Sequence, residues 1–168
     1  MKEVVCYTDG SAVASGKNKG MGGYGVYFPN FYGKKYGVQG RSNNTKTGRM
    51  ELTALFAAID SFYVNHAPMK LIVYSDSQYV VKSFTEKRLE RWIANGWKNS
   101  SGTVANLDVW KKVLLALKIR PWLTLEMRWI KGHQLDKNKK NREELLKDPH
   151  IVGNAMADLL ADYKSPIK

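Results

Sequence analysis

The chain has 168 residues, 43% of them hydrophobic and 25% charged, a composition that fits a globular protein and excludes disordered and fibrous classes. Its single cysteine, Cys6, excludes an intrachain disulfide. No apolar run is long enough to cross a membrane, and the opening MKEVVCYTDG lacks the apolar core of a secretory signal. The 27 basic residues exceed the 15 acidic ones, giving a formal charge of +12 that favours a polyanionic partner, nucleic acid before an anionic membrane.

Residues 3–8 (EVVCYT) read as a buried strand ending at Asp9. The stretch from Asp9 to Glu51 contains no further acidic residue and holds ten of the fourteen glycines, so its backbone can turn sharply or approach a ligand closely. Within it, residues 23–31 and 34–41 flank Tyr32-Gly33 and predict a β-hairpin. Over 49–65 the spacing of Leu52, Leu55, Phe56, Ile59, Phe62 and Tyr63 predicts a helix with one apolar face. LIVYSD is a fourth strand, closing at Asp76, followed by a short helix over 77–84 and another from Arg88 to Gly96. Residues 107–119 predict an amphipathic helix stopped by Pro121, and 122–130 alternate as a strand. Residues 134–150 read as a loop with one helical turn at 143–147, and 152–163 as a last helix. This order predicts a single domain over 1–168, an α/β fold with a mixed sheet covered by helices.

Asp9 and Asp76 each close an apolar strand, where ligand sites gather in open α/β sheets. Glu51 and Asp158 fall on helices. Together the four could form one site, and their mutual repulsion would be resolved by a divalent cation. Oxygen ligands without a cysteine cluster point to Mg²⁺ or Mn²⁺ rather than zinc. Taken singly, Asp76 reads equally as a helix N-cap, Glu51 as a first-turn residue favoured by the helix dipole, and Asp158 as a solvated residue.

Six segments taken together resemble type 1 ribonucleases H. They are Tyr7-Thr8-Asp9-Gly10-Ser11, Gly22-Gly23-Tyr24-Gly25, Arg49-Met50-Glu51-Leu52, Tyr74-Ser75-Asp76-Ser77-Gln78, Trp129-Ile130-Lys131-Gly132-His133, and Gly153-Asn154-Ala155-Met156-Ala157-Asp158. The resemblance runs in order along nearly the whole chain. It implies a ribonuclease H-like fold, a five-stranded mixed sheet with strands one to three antiparallel, flanked by helices. It implies endonucleolytic cleavage of the RNA strand of RNA–DNA hybrids by a two-metal mechanism, leaving 5′-phosphate and 3′-hydroxyl ends. Asp9, Glu51, Asp76 and Asp158 would hold two Mg²⁺ ions, with Mn²⁺ as an alternative. His133 would assist product release or proton movement.

The resemblance further assigns RNA contacts to Gly10, Ser11 and Ser15 of the segment up to Gly16, and to Gln78. It assigns DNA-strand contacts to a basic handle over 86–106, with Trp92, Lys98, Ser100 and Asn106. Three departures stand out. Thr47-Gly48 replace two polar amides, Arg88 stands where the handle has a tryptophan, and an extended histidine loop over 133–152 carries a net charge of only +1 over 134–152, five basic minus four acidic residues. A monomer without an obligatory protein partner, in the cytoplasm and away from membranes, is expected. A module that binds hybrids or double-stranded RNA without catalysis is a competing class, against which the presence of all four carboxylates and His133 argues; a same-fold nuclease on another substrate and a segment of a reverse transcriptase are further alternatives.

Overall fold

The structure is a computed structural model and describes residues 1–63, 67–137 and 141–165. In chain order the elements are β1 (Lys2–Ala12), β2 (Gly22–Phe31), β3 (Lys34–Ser42), α1 (Thr47–Asp60), β4 (Met69–Ser75), α2 (Gln78–Thr85) and α3 (Arg88–Ala94). The short β5 (Lys98–Asn99) and β6 (Gly102–Thr103) follow. Then come α4 (Leu107–Lys118), β7 (Leu123–Trp129), α5 (Gln134–Lys137), α6 (Arg142–Leu145) and α7 (Pro149–Ala161). The main sheet has five strands in the order β3-β2-β1-β4-β7. β1, β2 and β3 pair antiparallel, and β4 joins β1 and β7 in parallel. The expected mixed sheet, antiparallel in its first three strands, is present.

Alternation along the central strands divides the interior between the two faces of the sheet. Val4 and Cys6 of β1 join Phe28, Leu71 and Val73 on the face covered by α1 and α4, where Leu52, Leu55, Ile59 and Trp110 are fully buried. The alternate residue Tyr7 points to the opposite face with Tyr27, Ile72 and Tyr74, under α7. That helix lies unusually close to the sheet. A Cβ at Gly23 would come within 2.5 Å of the Ala161 carbonyl, and one at Gly25 within 2.5 Å of the Ala157 carbonyl. A Cβ at Gly153 would strike the Tyr7 ring. The Gly22-Gly23-Tyr24-Gly25 run therefore forms a trough that receives the helix backbone. Arg41 of β3 fastens the far end, donating from Nη1 to the Leu160 carbonyl at 2.7 Å and from Nη2 to the Ser165 carbonyl at 3.1 Å. A cation there complements the negative end of the helix.

Several boundaries differ from expectation. β1 does not end at Asp9 but continues to Ala12, because β2 pairs with it through Ala12↔Gly22 while its β4 neighbour stops at Thr8↔Ser75. α1 starts two residues earlier than predicted and ends at Asp60; Phe62 leaves the helix to pack in the core against Phe28 and Trp122. Residues 64 and 65 of the predicted helix lie outside the described residues. α7 begins at Pro149, three residues early: Asp148 accepts the His150 N–H at 2.9 Å as N-cap, and proline suits the first helical position. Within the expected loop over 134–150, the expected helical turn is present as α6, and among the described residues a second short helix, α5, precedes it.

Candidate active site

Each carboxylate is placed by a local device. Beyond Thr8 the β4 side of β1 is open, so Asp9 stands at the edge of that gap. Its Oδ1 accepts the Gly10 N–H at 2.9 Å, and the residue is 5% exposed. Gly10 then allows α1 to pass, for a Cβ there would overlap the backbone of Met50 and Glu51. Glu51 sits in the second turn of α1, not the first, so the dipole reading does not apply to it. Arg49 fixes this end of α1 to the start of α4 through a two-pronged pair with Asp108, one bond measuring 2.9 Å, and holds that carboxyl down at about 2.

Asp76 follows β4 directly. It is not the N-cap of α2: Ser77 is, its hydroxyl accepting the Val80 N–H at 3.2 Å. The cap reading is thereby excluded, and Asp76 is left to the site. The Trp129 indole donates to its main-chain carbonyl at 3.2 Å. Asp158 comes from α7, and beside it the His133 Nδ1 lies 3.8 Å from Asp158 Oδ2 and 3.2 Å from Asp136 Oδ2.

The side chains form two adjoining trios, Asp9–Glu51–Asp76 and His133–Asp136–Asp158, in each of which the nearest ligand atoms lie within 4.8 Å of one another. Among the described residues no lysine or arginine pairs with Asp9, Glu51 or Asp76. Burial, then the neighbouring Asp76 and Asp158, drive Asp9 far above the ordinary carboxylate range. Burial lifts Glu51 to about 7, against a hydrogen bond from Ser77 that draws it down. Asp76 is raised by burial and eased by Asn154 and His133. A buried set of hard oxygen donors without its own counter-charge fits a divalent cation.

This has a measurable consequence in metal-free protein. Glu51 binds its proton more tightly folded than unfolded, so its contribution to stability is full below about pH 4.5 and is lost as pH rises through about 7. Asp9 extends the loss to higher pH. Urea unfolding in EDTA should therefore show the midpoint falling between pH 5 and 8, and saturating Mg²⁺ or Mn²⁺ should flatten that fall. A midpoint that rises with pH in EDTA would contradict the assignment of strain to these carboxylates.

The other expected site residues are less uniformly placed. Gly10 and Ser11 belong to β1 rather than to a loop, and the Ser11 hydroxyl donates to the Ala161 carbonyl at 3.3 Å. Ser15 and Gln78 are exposed, Gln78 opening α2 two residues after Asp76. Thr47 explains one departure, since its hydroxyl bonds both the N–H (3.1 Å) and the carbonyl (3.3 Å) of Ala12. Lys98 and Ser100 are exposed on the β5–β6 ribbon, while Trp92 is half-buried with its ring 5.7 Å from that of Trp110. Trp92 therefore anchors the handle against the core. Asn106 donates to the Tyr79 hydroxyl at 3.3 Å and borders a cavity of about 610 Å³ lined also by Lys19, Lys46 and Arg49. Two polar residues beside the site were not singled out from sequence as functional: Asp136, and Asn154, whose position four residues before Asp158 on one helix face was the available signal.

Strand order and converging carboxylates together define the ribonuclease H-like class of enzymes. The family model described as RNase H matches residues 1–165. A ribonuclease H of Lachnoclostridium phytofermentans is 37% identical over 164 residues, covering 93% of this chain and 96% of its own. The ribonuclease H domain of prototype foamy virus superposes with a TM-score of 0.64 at 27% identity, covering 94% of this chain and 91% of its own. LC9-RNase H1, a type 1 RNase H with the type 2 active-site motif, shares the fold at a TM-score of 0.70 and 24% identity, over 95% of this chain and 70% of that one. The chain belongs to the RNase H family, and it is a hydrolase of that family.

Proposed function

We propose that the protein cuts the RNA strand of RNA–DNA hybrids endonucleolytically, leaving 5′-phosphate and 3′-hydroxyl ends. The observation that carries the reading is the convergence of Asp9, Glu51 and Asp76 within 4.8 Å, with Asp158 and His133 alongside. Asp9, Glu51 and Asp76 would hold one divalent cation, and Asp9 with Asp158 a second; Mg²⁺ is the natural occupant and Mn²⁺ an alternative. Such ions, when bound, activate water and stabilise the departing 3′ oxygen.

The chain's own residues do the rest. Attack by water, which gives up a proton, forms a new P–O bond and breaks the bond to the 3′ oxygen, which takes up a proton, so the phosphate stays on the 5′ oxygen of the downstream fragment. His133 is half exposed, and its imidazole can carry a proton between Asp158 and solvent. Gln78, Ser15 and the backbone from Gly10 to Gly16 would contact the RNA strand, whose 2′-hydroxyls distinguish it from DNA. Lys98, Ser100 and the exposed Lys87 and Arg91, with the half-buried Arg88, offer a basic surface to the DNA strand, and Asn106 with its cationic neighbours offers a phosphate seat. The unit spans 1–168, with 86–106 as the handle.

The test is a labelled hybrid incubated with the pure protein, with and without Mg²⁺, beside single-stranded RNA, double-stranded RNA and duplex DNA. Metal-dependent cutting confined to the RNA of the hybrid is expected. Tight hybrid binding with no cutting in either Mg²⁺ or Mn²⁺ would replace the enzyme by a binding module.

A further inference from the structure

Asn154 is 4% exposed, and it is placed where two parts of the site meet. Its Oδ1 accepts the His133 main-chain N–H at 3.4 Å. Its Nδ2 is buried without a hydrogen-bond partner of ordinary length and faces the Asp76 carboxylate. Buried amides are normally satisfied, and an orphaned donor beside reacting groups signals a role in them. The segment held by Oδ1 is shaped for that contact. His133 has a positive φ of 56°, which a non-glycine residue adopts only when its surroundings fix it. Gly132 before it lies so close over Asp76 that a Cβ would collide with Oδ2. On its other side Asn154 borders a narrow cavity of about 20 Å³ together with His133, Asp136 and Asp158. Asn154 and Asp158 are four residues apart on α7, so one helix face presents both.

We propose that Asn154 is a positioning residue that seats the Gly132–His133 segment against Asp76, so that the imidazole reaches Asp158 only while the amide holds both. The proposal rests on the role given to His133 above. One side-chain amide thus serves two elements distant in sequence: its oxygen fixes the strained turn and its nitrogen steadies the carboxylate beneath it. The consequence is that loss of Asn154 acts through His133, lowering kcat while leaving the KM for hybrid nearly unchanged.

The experiment compares His133→Ala, Asn154→Ala and the double variant in steady-state hybrid cleavage, with amide hydrogen exchange at His133 as a second readout. Asn154→Ala should lower kcat by roughly ten- to a hundredfold, as displacement of an acid–base group does. The double variant should be no slower than His133→Ala alone, and His133 amide exchange should accelerate. Asn154→Asp keeps an acceptor for the His133 N–H and should preserve its slow exchange, which provides the test if the alanine variant does not fold. Wild-type kcat in Asn154→Ala, additive losses in the double variant, or equal exchange at His133 in all variants would each overturn the coupling. Full activity in His133→Ala would instead remove the role of His133 itself, a separate outcome.

Discussion

Asp9→Asn should abolish hybrid cleavage and at the same time make the metal-free protein more stable at neutral pH. The loss of activity should be about a thousandfold or more, since a divalent cation supplies several kcal/mol to the transition state and each 1.36 kcal/mol is tenfold in rate. Asp9 is the most buried of the four carboxylates and the one shared between the two proposed ions. The stability gain has a different origin. Burial and the facing Asp76 and Asp158 make the folded state hold the Asp9 proton well above the pH at which the unfolded chain releases it. Above about pH 4 the unfolded chain gains free energy by releasing a proton that the folded chain must keep, and asparagine removes that penalty without changing the side chain's shape. Thermal melts in EDTA should therefore separate variant from wild type at pH 8 and bring them together at pH 4. Addition of Mg²⁺ should stabilise the wild type and leave the variant nearly unmoved. An active Asp9→Asn protein would refute the catalytic assignment; an inactive variant with no stability gain would refute only the electrostatic one.

Gly10→Ala should be the most disruptive single-methyl substitution near the site. The added Cβ falls on the main-chain atoms of Met50 and Glu51, which cannot rotate aside as a side chain can. Overpacking of this kind costs about 1–3 kcal/mol, and rigid backbone on both sides places this case at the upper end. For a chain of this length, that is a fall of roughly 6–12 °C in Tm. Activity should fall further than stability, because the only relief is to push α1 away from β1 and Glu51 away from Asp9. Alanine at Gly48, which has no positive φ and where a Cβ would meet only the Tyr79 ring at 3.6 Å, is the comparison that separates this clash from the loss of a glycine as such. A Gly10→Ala protein with wild-type Tm and kcat would show that α1 is not held where the structure has it.

The strands and long helices were legible in the sequence because their apolar spacing is set by the two faces of one sheet. What was not legible depended on partners remote in the chain. Asp9 reads as a strand end because the apolar run stops there. The strand continues because β2 still offers its antiparallel edge, which only the fold reveals. Pro149 was read as a loop residue, although Asp148-Pro149 is also a cap followed by a first-turn proline; the polar residues around it outweighed that signal. The four carboxylates were recognisable as a group, and the helix spacing set Asn154 one turn before Asp158, but the nearness of Asp136 to Asp158 and of Asn154 to the His133 turn was not. Those contacts arise from the turn at His133 and the seating of α7, and neither leaves a local pattern. Thr47 reads as a missing amide in sequence, whereas in the structure its hydroxyl ties α1 to Ala12.

The close seating of α7 on the glycine trough also has a consequence for how the protein comes into being. The sheet, α1 and the first three carboxylates are all encoded before α7, the helix that carries Asp158 and Asn154. During synthesis the Gly23 and Gly25 surface and the Tyr7–Tyr74 face stand bare until that helix leaves the ribosome and docks. A nascent or truncated chain therefore carries three of the acidic residues without the fourth. Such a chain holds the outline of the site without its last carboxylate, and the full acidic set assembles only once α7 has docked.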